Sequence, residues 1–122
     1  DKKLSPEEIA TTKECLPKLI NAINKGNFYI GCSEGTNRTD VALGLNYLFN
    51  PEETVIPEFE SKSPNKSMQM TRQILNAITN KTKGGGYEIS DDFAKSLGWE
   101  NAEVLEETLK NRLEKLSKAN LK

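Results

Sequence analysis

Cys32 is followed six positions later by Arg38; Ser33, Glu34, Gly35, Thr36 and Asn37 lie between them, and Thr39 comes next. A cysteine thiolate is a nucleophile at neutral pH when its pKa is depressed, and a helix N-terminus or a nearby cation depresses it. A guanidinium grips two oxygens of one phosphoryl group through a forked pair of hydrogen bonds. Backbone N–H groups of a glycine-containing loop that opens into a helix supply the other donors an anion needs. Together these groups describe a loop that holds a phosphate against Cys32. Arg38 would neutralise charge in the transition state, and Thr39 would donate its hydroxyl hydrogen to the sulfur as it leaves. The competing reading is a small buried thiol beside a surface arginine. With two cysteines in the chain, arginine, glycine and threonine at these offsets are roughly a one-in-a-thousand accident at usual composition, which favours the phosphate loop.

Such a loop needs a strand to deliver it and a helix to receive it. Residues 27–32, "NFYIGC", form a short run rich in aromatic and β-branched residues and read as a buried strand. Beyond the loop, a helix beginning near Arg38 would carry Val41, Ala42, Leu45, Leu48 and Phe49 on one face and stop at Asn50-Pro51. Upstream, Ser5-Pro6-Glu7-Glu8 is a capping-box helix start. That helix would run to about Asn24 with Leu16, Leu19, Ile20 and Ile23 inward, be kinked or split at Pro17, and end at Lys25-Gly26. Thr54 to Ile56 could pair briefly, against the objection of Pro57. Downstream, Ser63-Pro64 opens a third helix, Ser90 caps a short one, and Asn101 to about Lys118 forms the last, with Leu105, Leu109, Arg112, Leu113 and Leu116 on one side. A strand as apolar as Phe28 to Ile30 needs neighbours on both edges. The sequence therefore predicts an α/β domain whose remaining strands lie upstream of Asp1 or on another chain.

Over Cys32, Ser33, Glu34, Gly35, Thr36, Asn37, Arg38 and Thr39 the sequence resembles the cysteine-dependent protein tyrosine phosphatase superfamily, whose signature is H-C-x5-R-[ST]. Glu34-Gly35 looks most like the dual-specificity phosphatases. "GTNRT" also looks like the RNA 5'-triphosphatase branch. The lysines that phosphoinositide phosphatases often carry inside the loop are absent, which disfavours a lipid substrate. The resemblance implies a central sheet flanked by helices, with residues 1–122 forming the C-terminal part of one catalytic domain and residues 84–122 its helical extension. It implies hydrolysis of phosphotyrosine, phosphoserine or phosphothreonine in proteins through a phosphocysteine, without metal or cofactor. Residues 33–38 would bind the phosphate. Asp1, 31 residues before Cys32, corresponds by this resemblance to the general acid, with an ordinary charged terminus as its alternative. Two departures stand out: Gly31 replaces the usual histidine, and Asp40 occupies a position where glycine is frequent. A catalytically weak phosphate-binding module stays open as the alternative. An arsenate-reductase-like thiol chemistry fits poorly, because Cys15 is the one further cysteine.

Composition sets the outer limits. A chain of 122 residues with 35% hydrophobic content suits one compact domain. Seventeen basic against eighteen acidic residues give a formal charge of -1, so no overall field draws it to nucleic acid or an anionic membrane; an RNA 5' end would be read locally. No apolar run is long enough for a membrane span. The absence of histidine excludes the usual zinc sets and a histidine triad. The expected location is the cytoplasm, or a host cytosol if the protein is a secreted bacterial effector. Other residues have plain readings beside functional ones: Cys15 as a helix-face thiol or a redox partner of Cys32, Asp91 and Asp92 as helix caps or a downstream acid, and Trp99 as packing or a partner anchor. Lys81, Lys83 and the glycines at 84–86 read as a solvated turn rather than a phosphate loop.

Overall fold

The computed structural model describes residues 5–26, 36–60, 62–79 and 88–120, with the backbone alone for residues 36–39. The regular elements among them are five helices: α1 Pro6–Asn24, α2 Thr36–Phe49, α3 Pro64–Thr79, α4 Asp91–Ser96 and α5 Ala102–Asn120. The expected α/β architecture with a central sheet is therefore corrected, since no strand occurs among the described residues. Thr54 to Ile56 make no pairing, and Val55 is 71% exposed. Phe28 to Ile30, on which the sheet was predicated, lie outside the described residues. The physical reason is that the apolar faces of the helices close on one another, with α2 against α1, α3 and α5, and α4 against α5. One helix-on-helix core absorbs them without a sheet, and no sheet edge among the described residues calls for further strands.

The local signals explain most helix boundaries. Ser5 sits in extended conformation, its hydroxyl oxygen accepts from the Glu8 N–H at 3.1 Å, and a Glu8 carboxylate oxygen accepts from the Ser5 N–H at 3.1 Å. This is the predicted capping box, with Pro6 at the helix start, where no N–H is missed. α1 continues through Pro17 as a single element rather than splitting there. It ends at Gly26, whose φ of +72° is a left-handed conformation that glycine adopts without strain. Ser90 accepts from the Phe93 N–H at 3.1 Å and starts α4, as its position predicts. Asp91 accepts from the Ala102 N–H at 2.9 Å, so its carboxylate caps the start of α5 and its plain reading is sufficient.

α2 is the central element. Leu48 and Phe49 are fully buried, Val41, Leu45 and Tyr47 nearly so, and the seven residues from Gly44 to Asn50 are buried on every side. Leu16 and Ile20 of α1, Met68, Leu75 and Ile78 of α3, and Leu105, Leu109 and Leu116 of α5 complete the core. Gly44 permits this crowding: a Cβ there would lie 3.3 Å from the Phe59 ring and 3.3 Å from Thr71 of α3. The C-terminal end of α2 is closed by side chains distant in sequence. Trp99 donates its indole N–H to the Phe49 carbonyl at 2.7 Å, and Arg112 donates to the carbonyls of Tyr47 and Asn50 at 2.6 and 2.7 Å. Helix ends leave such carbonyls without partners, and here a cation and an indole take them.

Candidate functional site

Of the predicted phosphate-loop residues, Cys32, Ser33, Glu34 and Gly35 lie outside the described residues, as does Asp1. Thr36, Asn37, Arg38 and Thr39 form the first turn of α2. The helix thus begins two residues earlier than the sequence suggested, inside the motif. Thr36 and Asn37, expected in the loop, are helical, while Arg38 and Thr39 stand at the helix start as the sequence suggested. The first N–H groups of any α-helix have no intrahelical acceptor. Over the 14 residues of α2, the aligned peptide dipoles place a partial positive charge at this end. No acidic residue occupies the first turn.

Asp40 is the residue whose charge the sequence set against this picture. It is 1% exposed, and its carboxylate is engaged: one oxygen accepts from the Glu60 N–H at 2.9 Å and the other from the Ser67 hydroxyl at 2.9 Å. A buried carboxylate without such donors would be costly. These two donors come from the segment before α3 and from α3 itself, so the charge is spent on tertiary structure. Neither partner was legible from the sequence, being 20 and 27 residues away. The one available signal was an acidic residue directly before the apolar run that starts at Val41.

The opposite end of α2 has its own polar cluster. Asn50 is fully buried; its amide donates to the side-chain oxygens of Asn24 at 2.8 Å and Asn46 at 3.0 Å, and its own oxygen accepts from the Glu52 N–H at 3.0 Å. Asn46 donates to Glu53 at 3.2 Å. This network ties the end of α1 to the end of α2. Arg112 lies nearby, its guanidinium carbon 5.0 Å from the centre of the Tyr47 ring and 5.6 Å from that of Trp99. Burial pulls the Arg112 guanidinium below the usual arginine range, while Tyr47 and Glu53 oppose that shift. An open cleft of about 690 Å³ lies between α1, the turn at Pro51-Glu52 and the end of α4, lined by Pro17, Lys18, Asn21, Asn24, Lys95, Ser96 and Gly98 among others.

The remaining candidates separate cleanly. Cys15 is an exposed free thiol on α1. Trp99 packs against the core and donates to α2, the packing reading. Lys81, Lys83 and residues 84–86 lie outside the described residues. Among the described residues, no group of three His, Cys, Asp or Glu side chains is placed to hold a metal ion, and no helix is long and apolar enough to cross a membrane. The chain matches no family model, no curated protein and no solved structure.

Proposed function

We propose that this chain hydrolyses phosphate monoesters, with Cys32 as nucleophile and Arg38 as the phosphoryl-binding cation. The single observation that carries the reading is the start of α2 at Thr36. It sets Arg38, six residues after Cys32, in the first turn of a helix, an end whose N–H groups and dipole favour an anion. The engagement of Asp40 by the Glu60 N–H and the Ser67 hydroxyl supports it, because that carboxylate is buried and hydrogen-bonded to α3 and the segment before it.

In the first step the Cys32 thiolate attacks phosphorus, an S–P bond forms, and the P–O bond to the leaving group breaks with its electron pair going to oxygen. A general acid protonates that oxygen, a role the resemblance gives to Asp1. In the second step the carboxylate left by the first takes a proton from water as the water oxygen attacks the phosphocysteine, the S–P bond breaks with its electron pair going to sulfur, and inorganic phosphate leaves with thiolate and acid both restored. Arg38 holds two phosphoryl oxygens throughout, and the α2 amides hold the charge that develops. No oxidant, reductant or cofactor enters the balance. The substrate class implied by the resemblance is a phosphorylated protein side chain.

The test is phosphate release from p-nitrophenyl phosphate. The unmodified protein releases phosphate, Cys32→Ser does not, and Cys32→Ser still binds tungstate, since serine keeps the loop's shape but is a far weaker nucleophile. An unmodified protein that binds tungstate and releases nothing is a phosphate-binding module. Hydrolysis by Cys32→Ser at the unmodified rate removes Cys32 from the reaction.

A further inference from the structure

We infer that the cavity beside Arg112, between α5, Tyr47 of α2 and Thr54, is a binding site for a small organic carboxylate. It shares no residue with the phosphate loop proposed around Cys32 and Arg38.

Thr108, Asn111, Arg112 and Lys115 are spaced to share one face of α5, and with Tyr47 and Thr54 they line a cavity of about 310 Å³. That volume is at the lower end for small-molecule sites, so the ligand is small. All of these side chains carry hydrogen-bonding groups, and Arg112 and Lys115 are cations. Arg112 is held before any ligand arrives. Its Nη1 donates to the carbonyls of Tyr47 and Asn50 at 2.6 and 2.7 Å, and its guanidinium carbon lies 5.0 Å from the centre of the Tyr47 ring and 5.6 Å from that of Trp99. With Nη1 committed, Nε and Nη2 keep their N–H groups, and neither has an acceptor among the described residues. That edge of a guanidinium is a fork able to take both oxygens of one carboxylate. Because the group is already fixed, binding costs little of its rotamer freedom.

Tyr47 adds a donor. It is 4% exposed, yet its hydroxyl has no partner among the described residues. No fully buried side-chain nitrogen or oxygen among them lacks a partner, so the hydroxyl meets open space, and the cavity is open space that Tyr47 lines. An acceptor entering there gives this hydroxyl the hydrogen bond it lacks. Charge then selects the ligand. Arg112 and Lys115 bring two positive charges, and Glu53, close enough to Arg112 to favour its charged form, brings one negative. The Glu53 oxygens accept from the Asn46 amide at 3.2 Å and from the Val55 N–H at 3.1 Å. A surplus of one positive charge matches a carboxylate better than a phosphate monoester, which carries about −1.5 to −2 at neutral pH.

The experiment titrates the isotope-labelled protein with benzoate and, separately, with inorganic phosphate at constant ionic strength, following the Arg112 Nε–H and the backbone amides of residues 108–115 by NMR. Benzoate is expected to give saturable shifts with a Kd on the order of 1 mM, and phosphate to bind more weakly. Tyr47→Phe keeps the ring and removes the hydroxyl, and is expected to weaken benzoate binding by about three- to tenfold. Lys115→Ala, at an exposed position, is expected to weaken it by about two- to fivefold. Arg112→Lys loses the fork and should weaken it by more than about tenfold; the other two variants keep the site testable if this one does not fold. The assignment is overturned if benzoate gives no saturable shift up to about 50 mM, far above the affinity expected of so small a ligand. It is also overturned if Tyr47→Phe and Lys115→Ala both bind benzoate as the unmodified protein does, or if phosphate binds more tightly than benzoate.

Discussion

At the scale of single residues, the chain makes its charges serve geometry. Among the described residues Asp40 is buried and Arg112 half-buried, and each holds backbone or side-chain groups of another element. Arg112 places its guanidinium over two aromatic rings while Nη1 alone donates to both carbonyls, and a point-charged ammonium does not reproduce the planar contact with the rings. Arg112→Lys should therefore lower stability by about 1.5–3 kcal/mol, the range for hydrogen bonds to a charged group, read as a reduced urea midpoint with an unchanged slope. An unaltered midpoint would show that the two carbonyls are served equally well by water. The same difference between fork and point charge applies at the proposed site: Arg38→Lys should retain less than a tenth of the unmodified kcat/KM on p-nitrophenyl phosphate, by about the factor a lost bidentate contact implies. Equal activity of the two would mean that Arg38 acts only through its charge.

The elements differ in how far the sequence revealed them. α1, α3, α4 and α5 carry their own start signals and an apolar face, so Ser5, Pro64, Ser90 and the leucines of α5 were enough to place them. α2 is different. Its apolar residues lie all round the helix because it is enclosed by α1, α3 and α5, and a periodic face is a weaker guide there. Its N-terminal boundary was misplaced by two residues for a related reason: Thr36 and Asn37 are typical of loops, and tertiary packing of the helix behind them overrides that preference. Gly44 marks the closest approach of this helix to its neighbours. Gly44→Leu should destabilise by about 1–3 kcal/mol through overpacking against Phe59 and Thr71, measured by urea denaturation. A neutral result would mean that the α2–α3 contact is loose enough to move aside.

At the scale of the whole molecule, the sheet was the largest misreading. It was built on one apolar run, Phe28 to Ile30, and on the rule that a central strand needs partners; the run lies outside the described residues, and the helices elsewhere bury their faces against each other. The tethers that organise the core were not legible, because Asp40 to Ser67, Phe49 to Trp99 and Phe59 to Asn120 join residues far apart in sequence without any local pattern. The proposed chemistry rests on residue types at fixed offsets from Cys32 to Thr39, so it is read without any knowledge of these tethers. The last helix belongs to the same core: Leu105, Leu109 and Leu116 are fully buried, and Asn120 and Arg112 hold segments of the rest of the chain. Leu109→Ala should accordingly cost about 2–5 kcal/mol, and far-ultraviolet circular dichroism should show all helices melting in one transition at the lowered temperature. Separate melting of a fraction of the helical signal would show α5 to be an appendage.

The central claim is that Cys32 becomes phosphorylated during turnover. Acid-quenching the reaction of p-nitrophenyl phosphate within its first turnover and mapping the peptides by mass spectrometry tests it most directly. The account predicts one phosphoryl group on the peptide containing Cys32 in the unmodified protein, and none on that peptide in Cys32→Ser. Steady phosphate release with the Cys32 peptide unmodified at every time point would contradict it.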